Sequence, residues 1–224
     1  TYAERVQAAT GLKVLNAGIS SYGTVRELMM LNRLDTSRLR FLIIHYMDND
    51  ARENRSYYAH GGRLPVMTEA EFENIRAIYR KQKRYVPGKY WMMVFKTRIW
   101  AAQRRQEEEA ARSGPDEGQL VVRLLRDVPR RSLDGVRILL VDGTPYVPGA
   151  PRRADGMAAA RSAEDLPAAV RQLTVMTAQD VLQGRYRYTL DDHWTALGHQ
   201  QMAEAILAWL NEGSPLRDGV SPPP

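Results

Sequence analysis

Near its C-terminus the chain reads Asp191-Asp192-His193-Trp194-Thr195-Ala196-Leu197-Gly198-His199. Two carboxylates stand directly before a histidine, and a Gly-His step opens an amphipathic run. An imidazole beside a carboxylate is the pairing used for general base catalysis, in which the acid fixes the ring's tautomer and orientation. A short Asp-x-His turn brings the Asp191 carboxylate to the Nδ1 side of His193. That leaves Nε2 to take a proton from a hydroxyl. Two other stretches offer donors for a developing oxyanion: the side-chain amide of Asn49, and the backbone N–H groups of the small-residue turn Gly18–Gly23.

These pieces are carried by an alternation of helices and strands. Residues 2–10 read as a helix stopped by Gly11. Residues 13–17 read as a short buried strand that runs into the 18–23 turn. Thr24, with Glu27 three residues on, has the spacing of a capping box for the next helix, with Leu28, Met29, Leu31 and Leu34 on its apolar side. Residues 39–46 form an apolar run expected to be a strand buried on both faces, ending in Asp48-Asn49-Asp50. Further strands are expected at 136–141 and 173–176, and helices at 117–130, 163–171 and 196–211. This order predicts a parallel α/β sheet, in which ligands gather at the C-terminal ends of the strands. Asn49, the 18–23 turn and a His193 loop all fall at such ends.

Residues 51–117 interrupt the rhythm. The sequence predicts an irregular loop over 51–67, a capped helix from Thr68 to about Lys83, a break at Pro87-Gly88 and a second helix over 90–112. The simplest reading is a helical insertion with a solvated end; the other is a lid or partner-binding hairpin. A linker at 113–116, a surface loop over 142–162 and a disordered tail at 213–224 complete the chain. The domain reading is one α/β unit, 1–212, with that insertion.

Composition excludes several classes. The 224 residues contain no cysteine, so thiolate nucleophiles, disulfides and Cys-zinc sites are absent. No apolar run approaches the roughly 20 residues of a membrane helix. His193 and His199 are distant from the other histidines, so no metal-binding pattern stands out. Gly18-x-x-x-x-Gly23 lacks a following Lys-Ser/Thr, and a phosphate loop is excluded. The net charge is +6, but Arg is spread along the chain among Glu and Asp, which reads as solvated surface and not as a nucleic-acid site. His45 reads as a satisfied core histidine, Trp194 as packing under the His193 loop and His199 as packing locally. Ser20 is a weak nucleophile candidate because its turn is one residue too long for a Gly-x-Ser-x-Gly elbow.

Three blocks together resemble the SGNH (GDSL-type) hydrolases. Asn16-Ala17-Gly18-Ile19-Ser20-Ser21-Tyr22-Gly23 is similar to the family's second block, Asp48-Asn49-Asp50 to its third, and Asp191-Asp192-His193-Trp194 to its last, in the Asp-x-His-Trp form of alginate O-acetyltransferase-like members. The resemblance implies a flavodoxin-like sheet and a serine ester hydrolase or O-acyltransferase acting on an acyl ester of a carbohydrate or lipid, with no cofactor and no metal. It implies His193 as the base, Asp191 as its partner with Asp192 as fallback, and Ser21 and Asn49 as oxyanion-hole donors. The departures are Ser21 where the family has Gly, Met47 where it has Gly, and Leu190 where many members have Asp.

The first block, Gly-Asp-Ser, is missing. The expectation is an N-terminally truncated chain whose first strand and nucleophilic serine lie upstream of Thr1, this fragment being inactive without them. The alternative is a non-catalytic carbohydrate- or partner-binding module on the same fold. Exported, periplasmic or membrane-anchored location is implied by the resemblance alone, with any anchor upstream.

Overall fold

The computed structural model describes residues 1–19, 22–84, 87–95, 117–143, 152–188 and 191–212, with backbone alone at 48, 49, 82, 83, 191 and 192. Its centre is a three-stranded parallel sheet, β1 (Phe41–Tyr46), β2 (Arg137–Asp142) and β3 (Thr174–Thr177), in the order β1-β2-β3. Phe41 pairs with Arg137 and Tyr46 with Asp142, so β1 and β2 end level. Leu139 pairs with Thr174 on the other side. The expected parallel α/β class is therefore present as a small sheet flanked by helices.

Strand alternation divides the core into two layers. Ile44 and Tyr46 of β1, with Ile138 and Leu140 of β2, face α2 (Thr24–Leu31), α3 (Asp48–Ala59), α6 (Glu117–Asp127), α7 (Arg153–Ala160) and α8 (Ala168–Arg171). Leu139 and Val141, with Phe41 and Ile43, face α1 (Tyr2–Thr10), α9 (Ala178–Val181) and α10 (Ala196–Asn211). β2 is buried almost throughout because it has neighbours on both edges and both faces. β1 is only partly buried at 41–43, since among the described residues nothing pairs with its outer edge.

Two polar devices brace the helices, one on each face of the sheet. Glu117 accepts from Arg55 of α3 at 2.8 Å and from Arg153 of α7 at 2.6 Å, so one nearly buried carboxylate joins three helices. At the far end, Arg137 donates to the carbonyls of Trp209, Leu210 and Glu212, covering the C-terminal carbonyls of α10 that have no helical partner.

Several sequence expectations change. Residues 13–17 form no strand, because a strand exists only with a hydrogen-bonded neighbour and none is present among the described residues. The expected loop over 51–67 is helical as far as Ala59: Ala51, Asn54 and Tyr57 recur at helical spacing and are buried. The Arg, Glu and Ser between them conceal this face. Residues 153–160, within the expected 142–162 loop, form α7, which buries Ala154 and Met157. The helix expected over 163–171 is only α8. Gly23, not Thr24, is the N-cap of α2, and Met29 is exposed. The helix expected from Tyr90 is seen as α5, 89–95, after α4 (Glu69–Lys83). Its remainder, the 113–116 linker and the 213–224 tail lie outside the described residues.

Helices α6 and α7 meet where Gly118 faces backbone. A Cβ at 118 would stand 2.5 Å from Met157 N and 2.7 Å from Gly156 C, and backbone cannot move aside as a flexible side chain does. Gly118→Ala is expected to lower the unfolding free energy by about 1–3 kcal/mol, read from urea denaturation. An unchanged midpoint would show that the α6–α7 contact is looser than described.

Candidate functional site at the C-terminal end of β1

His45 is the penultimate residue of β1, and it anchors the site. Its ring lies 4.5 Å from that of Trp194, centroid to centroid, with the planes 35° apart. Tyr2 of α1 stands 6.3 Å from His45 and 6.1 Å from Trp194, and His199 of α10 is 5.8 Å from Trp194. Four rings from four elements thus close over the end of one strand. Burial pushes the His45 imidazole down to about 4, and the positive charge of Arg187 adds to this. His45 is therefore a neutral plate at physiological pH. The expectation of a satisfied core histidine needs correction: its Nε2 is buried with no hydrogen-bond partner among the described residues. Gly143 lies so close that any Cβ there would collide with His45 Nε2 and Met47 Sδ.

This stack seats the His193 segment. β5 (Asp191–Trp194) pairs antiparallel with β4 (Arg187–Tyr188), Arg187 opposite Trp194 and Tyr188 opposite Asp191. His193 is thus in a short ribbon, where a loop was expected. Trp194 is buried, and His193 is exposed. After β5, Thr195 N donates to Tyr186 O at 2.7 Å, and the Thr195 hydroxyl accepts from Gly198 N at 3.3 Å as the cap of α10. Gly198 permits this closure, for a Cβ there would be 2.6 Å from Tyr186 O and 3.1 Å from Trp194 Cβ. On the other flank, Arg187 donates to Gly143 O at 2.8 Å, tying the ribbon to the end of β2.

The segment 23–26 also meets the helix that Asn49 opens. Asn49 lies in the first turn of α3, directly after β1. The segment following Ser21 is stitched to that same helix. Gly23 N donates to Glu53 Oε2 at 2.8 Å, the Thr24 hydroxyl to Asp50 Oδ2 at 2.9 Å, and Val25 N to Asn54 Oδ1 at 3.3 Å. Arg26 adds an ion pair to Glu53. Asp50 also accepts from Met47 N at 3.2 Å, which fixes the turn from β1 into α3. Ser20 and Ser21 lie outside the described residues, as do the side chains of Asn49 and Asp191. The backbone places 22–25 beside the first two turns of α3, and the rings place β5 at the end of β1.

A carboxylate group escaped the sequence reading. Glu27 of α2 is pushed up to about 7, first by burial and then by the negative charges of Asp50 and Glu53. By its spacing from Thr24, Glu27 is expected as a capping-box partner, but the N-cap is Gly23. The signal for its true setting was the spacing of Asp50, Glu53 and Asn54, which marks one helix face directed at α2. Among the described residues no group of three or more His, Asp or Glu side chains converges as a metal site. No protein-family model, curated protein or solved structure matches the chain.

Because the folded Glu27 holds its proton to about pH 7 while an unfolded glutamate loses it near 4.5, the native state binds more protons across that window. Stability then falls as pH rises from about 4.5 to 7. Glu27→Gln is expected to stabilise the protein by about 1–2 kcal/mol at pH 8, after allowance for solvent screening, and to change little at pH 4. Chemical denaturation at the two pH values reads this. A variant equally stable or less stable than wild type at pH 8 would contradict the buried-carboxyl assignment.

Proposed function

We propose that this chain is the greater part of an SGNH-type serine ester hydrolase or O-acyltransferase acting on an acyl ester of a carbohydrate or lipid. The observation that carries the reading is the stacking of Trp194 on His45. It brings the strand bearing His193 to the C-terminal end of β1, from which Asn49 opens α3. The fold is compatible with it: a parallel sheet flanked by helices on both faces can be the remaining part of a flavodoxin-like sheet. The outer edge of β1, unpaired among the described residues, offers the position for a strand bearing the nucleophile.

In this reading the serine Oγ bonds to the ester carbonyl carbon while His193 Nε2 takes its proton. Asp191, two residues before His193, supplies the carboxylate that holds the imidazole. The oxyanion is met by the Asn49 amide, the Ser21 N–H and the serine's own N–H. The imidazolium then protonates the departing alkoxide as the C–O bond breaks, leaving an acyl-serine. Water or a sugar hydroxyl, deprotonated by the same imidazole, releases the acyl group and restores the serine. The exposure of His193 supports this role, since the base must reach substrate and exchange protons with it.

The test uses the chain extended upstream to include the serine strand, with p-nitrophenyl acetate as substrate. His193→Ala is expected to reduce kcat/KM by about 10²–10⁴-fold without moving the unfolding midpoint, because the side chain is exposed. Asn49→Ala is expected to cost about 10²-fold in kcat. Full activity in His193→Ala would overturn the assignment.

A further inference from the structure

The helices inserted between α3 and α6 have an unusual surface. Every described side chain of α4 from Glu69 to Lys81 is exposed, including Phe72, Ile75 and Tyr79. On α5, Trp91 is 82% exposed, Met92 55% and Phe95 72%. A helix of 15 residues gains little stability in water from propensity alone, and most helical stability comes from packing an apolar face. These faces therefore call for a partner, and exposed apolar surface of this extent marks an interaction site.

The charges around them identify the partner's chemistry. From Asn74 to Phe95 there are six Lys or Arg residues and no Asp or Glu. Elsewhere the chain mixes the two signs. The acids of α4, Glu69, Glu71 and Glu73, all precede this stretch, so cations gather where the apolar and aromatic side chains do. Trp and Tyr among Lys and Arg, with bulky aliphatics, is the composition that settles at a lipid–water boundary: the rings lie at headgroup depth, the aliphatic groups reach the acyl chains, and the cations meet anionic headgroups. Nucleic acid accounts for the cations and the rings but gives Ile75 and Met92 nothing to bury against. A second copy would bring the cation-only α5 segment against its like. No helix among the described residues is long and apolar enough to cross a bilayer, which leaves attachment in the plane of the interface.

We infer that the α4–α5 insertion is a docking surface for an anionic lipid bilayer, with Trp91 and Phe95 entering the headgroup region and Arg80, Lys81 and Arg84 contacting headgroup phosphates. This surface is separate from the residues around His193 and stands whether or not those are catalytic.

Vesicle co-sedimentation tests it with the 224-residue chain. Vesicles containing about one third phosphatidylglycerol are expected to bind the protein at least about tenfold more tightly than pure phosphatidylcholine vesicles, with binding that weakens as salt rises. Trp91→Ser with Phe95→Ser, and separately Arg80→Glu with Arg84→Glu, are each expected to lower that binding about tenfold. Circular dichroism should be unchanged, because the altered side chains are exposed. Three results would overturn the proposal: no binding to either vesicle; a dimer in light scattering that the Trp91/Phe95 variant converts to monomer; or salt-sensitive binding to a duplex RNA probe with none to anionic vesicles.

Discussion

The contact on which the rest depends is the tilted packing of Trp194 against the half-buried ring of His45, 4.5 Å away centroid to centroid. A histidine near the end of a core strand costs desolvation, and the protein meets that cost by keeping the ring neutral and packing it as an aromatic plate. Trp194 fills the space above it. Gly143 gives way at its side, and Tyr2 and His199 close the rim. Once that stack forms, β5 has one place to lie. The capping threonine and Gly198 then direct the chain down into α10, whose Met202, Ile206 and Trp209 cover the sheet. The position of His193 thus follows from packing on its neighbour.

The opposite layer solves a related problem with polar groups. Segment 22–25 contributes little apolar surface before Val25, so it is held by hydrogen bonds to α3: backbone N–H groups to Glu53 and Asn54, and a hydroxyl to Asp50. The consequence is a crowding of carboxylates that raises Glu27. Such a group changes charge near neutrality, beside segment 22–25 and the first turns of α3. The local electrostatics where α2 meets α3 are therefore sensitive to pH near neutrality.

Strong periodicity made part of this legible in the sequence. β2 and α10 could be read because Ile138–Val141 are apolar without interruption and Met202, Ile206 and Trp209 recur at helical spacing. α1 was marked by Gly11, whose φ of 68° closes the helix. α3 was hidden because its buried face includes Asp50 and Asn54, polar residues that become interior only when α2 supplies their partners. Residues 13–17 have strand composition, but composition cannot create a ladder without a neighbour. For the site, the sequence marks the Asp191-x-His193 spacing and the position of Asn49 after a strand. It could not reveal the Trp194–His45 stack, which joins residues about 150 positions apart through tertiary packing alone.

The central claim is that His193 and Asn49 meet at one end of the sheet. The absence of cysteine allows a direct distance measurement. Cysteines placed at 49 and 193 would carry nitroxide labels, and dipolar electron resonance would read their separation. The account predicts a single short distance, at most about 20 Å, the length of one six-residue strand. Introducing Trp194→Ala into the labelled chain should broaden that distribution. A narrow distance beyond about 30 Å, or a distribution unmoved by loss of the Trp194 ring, would contradict it.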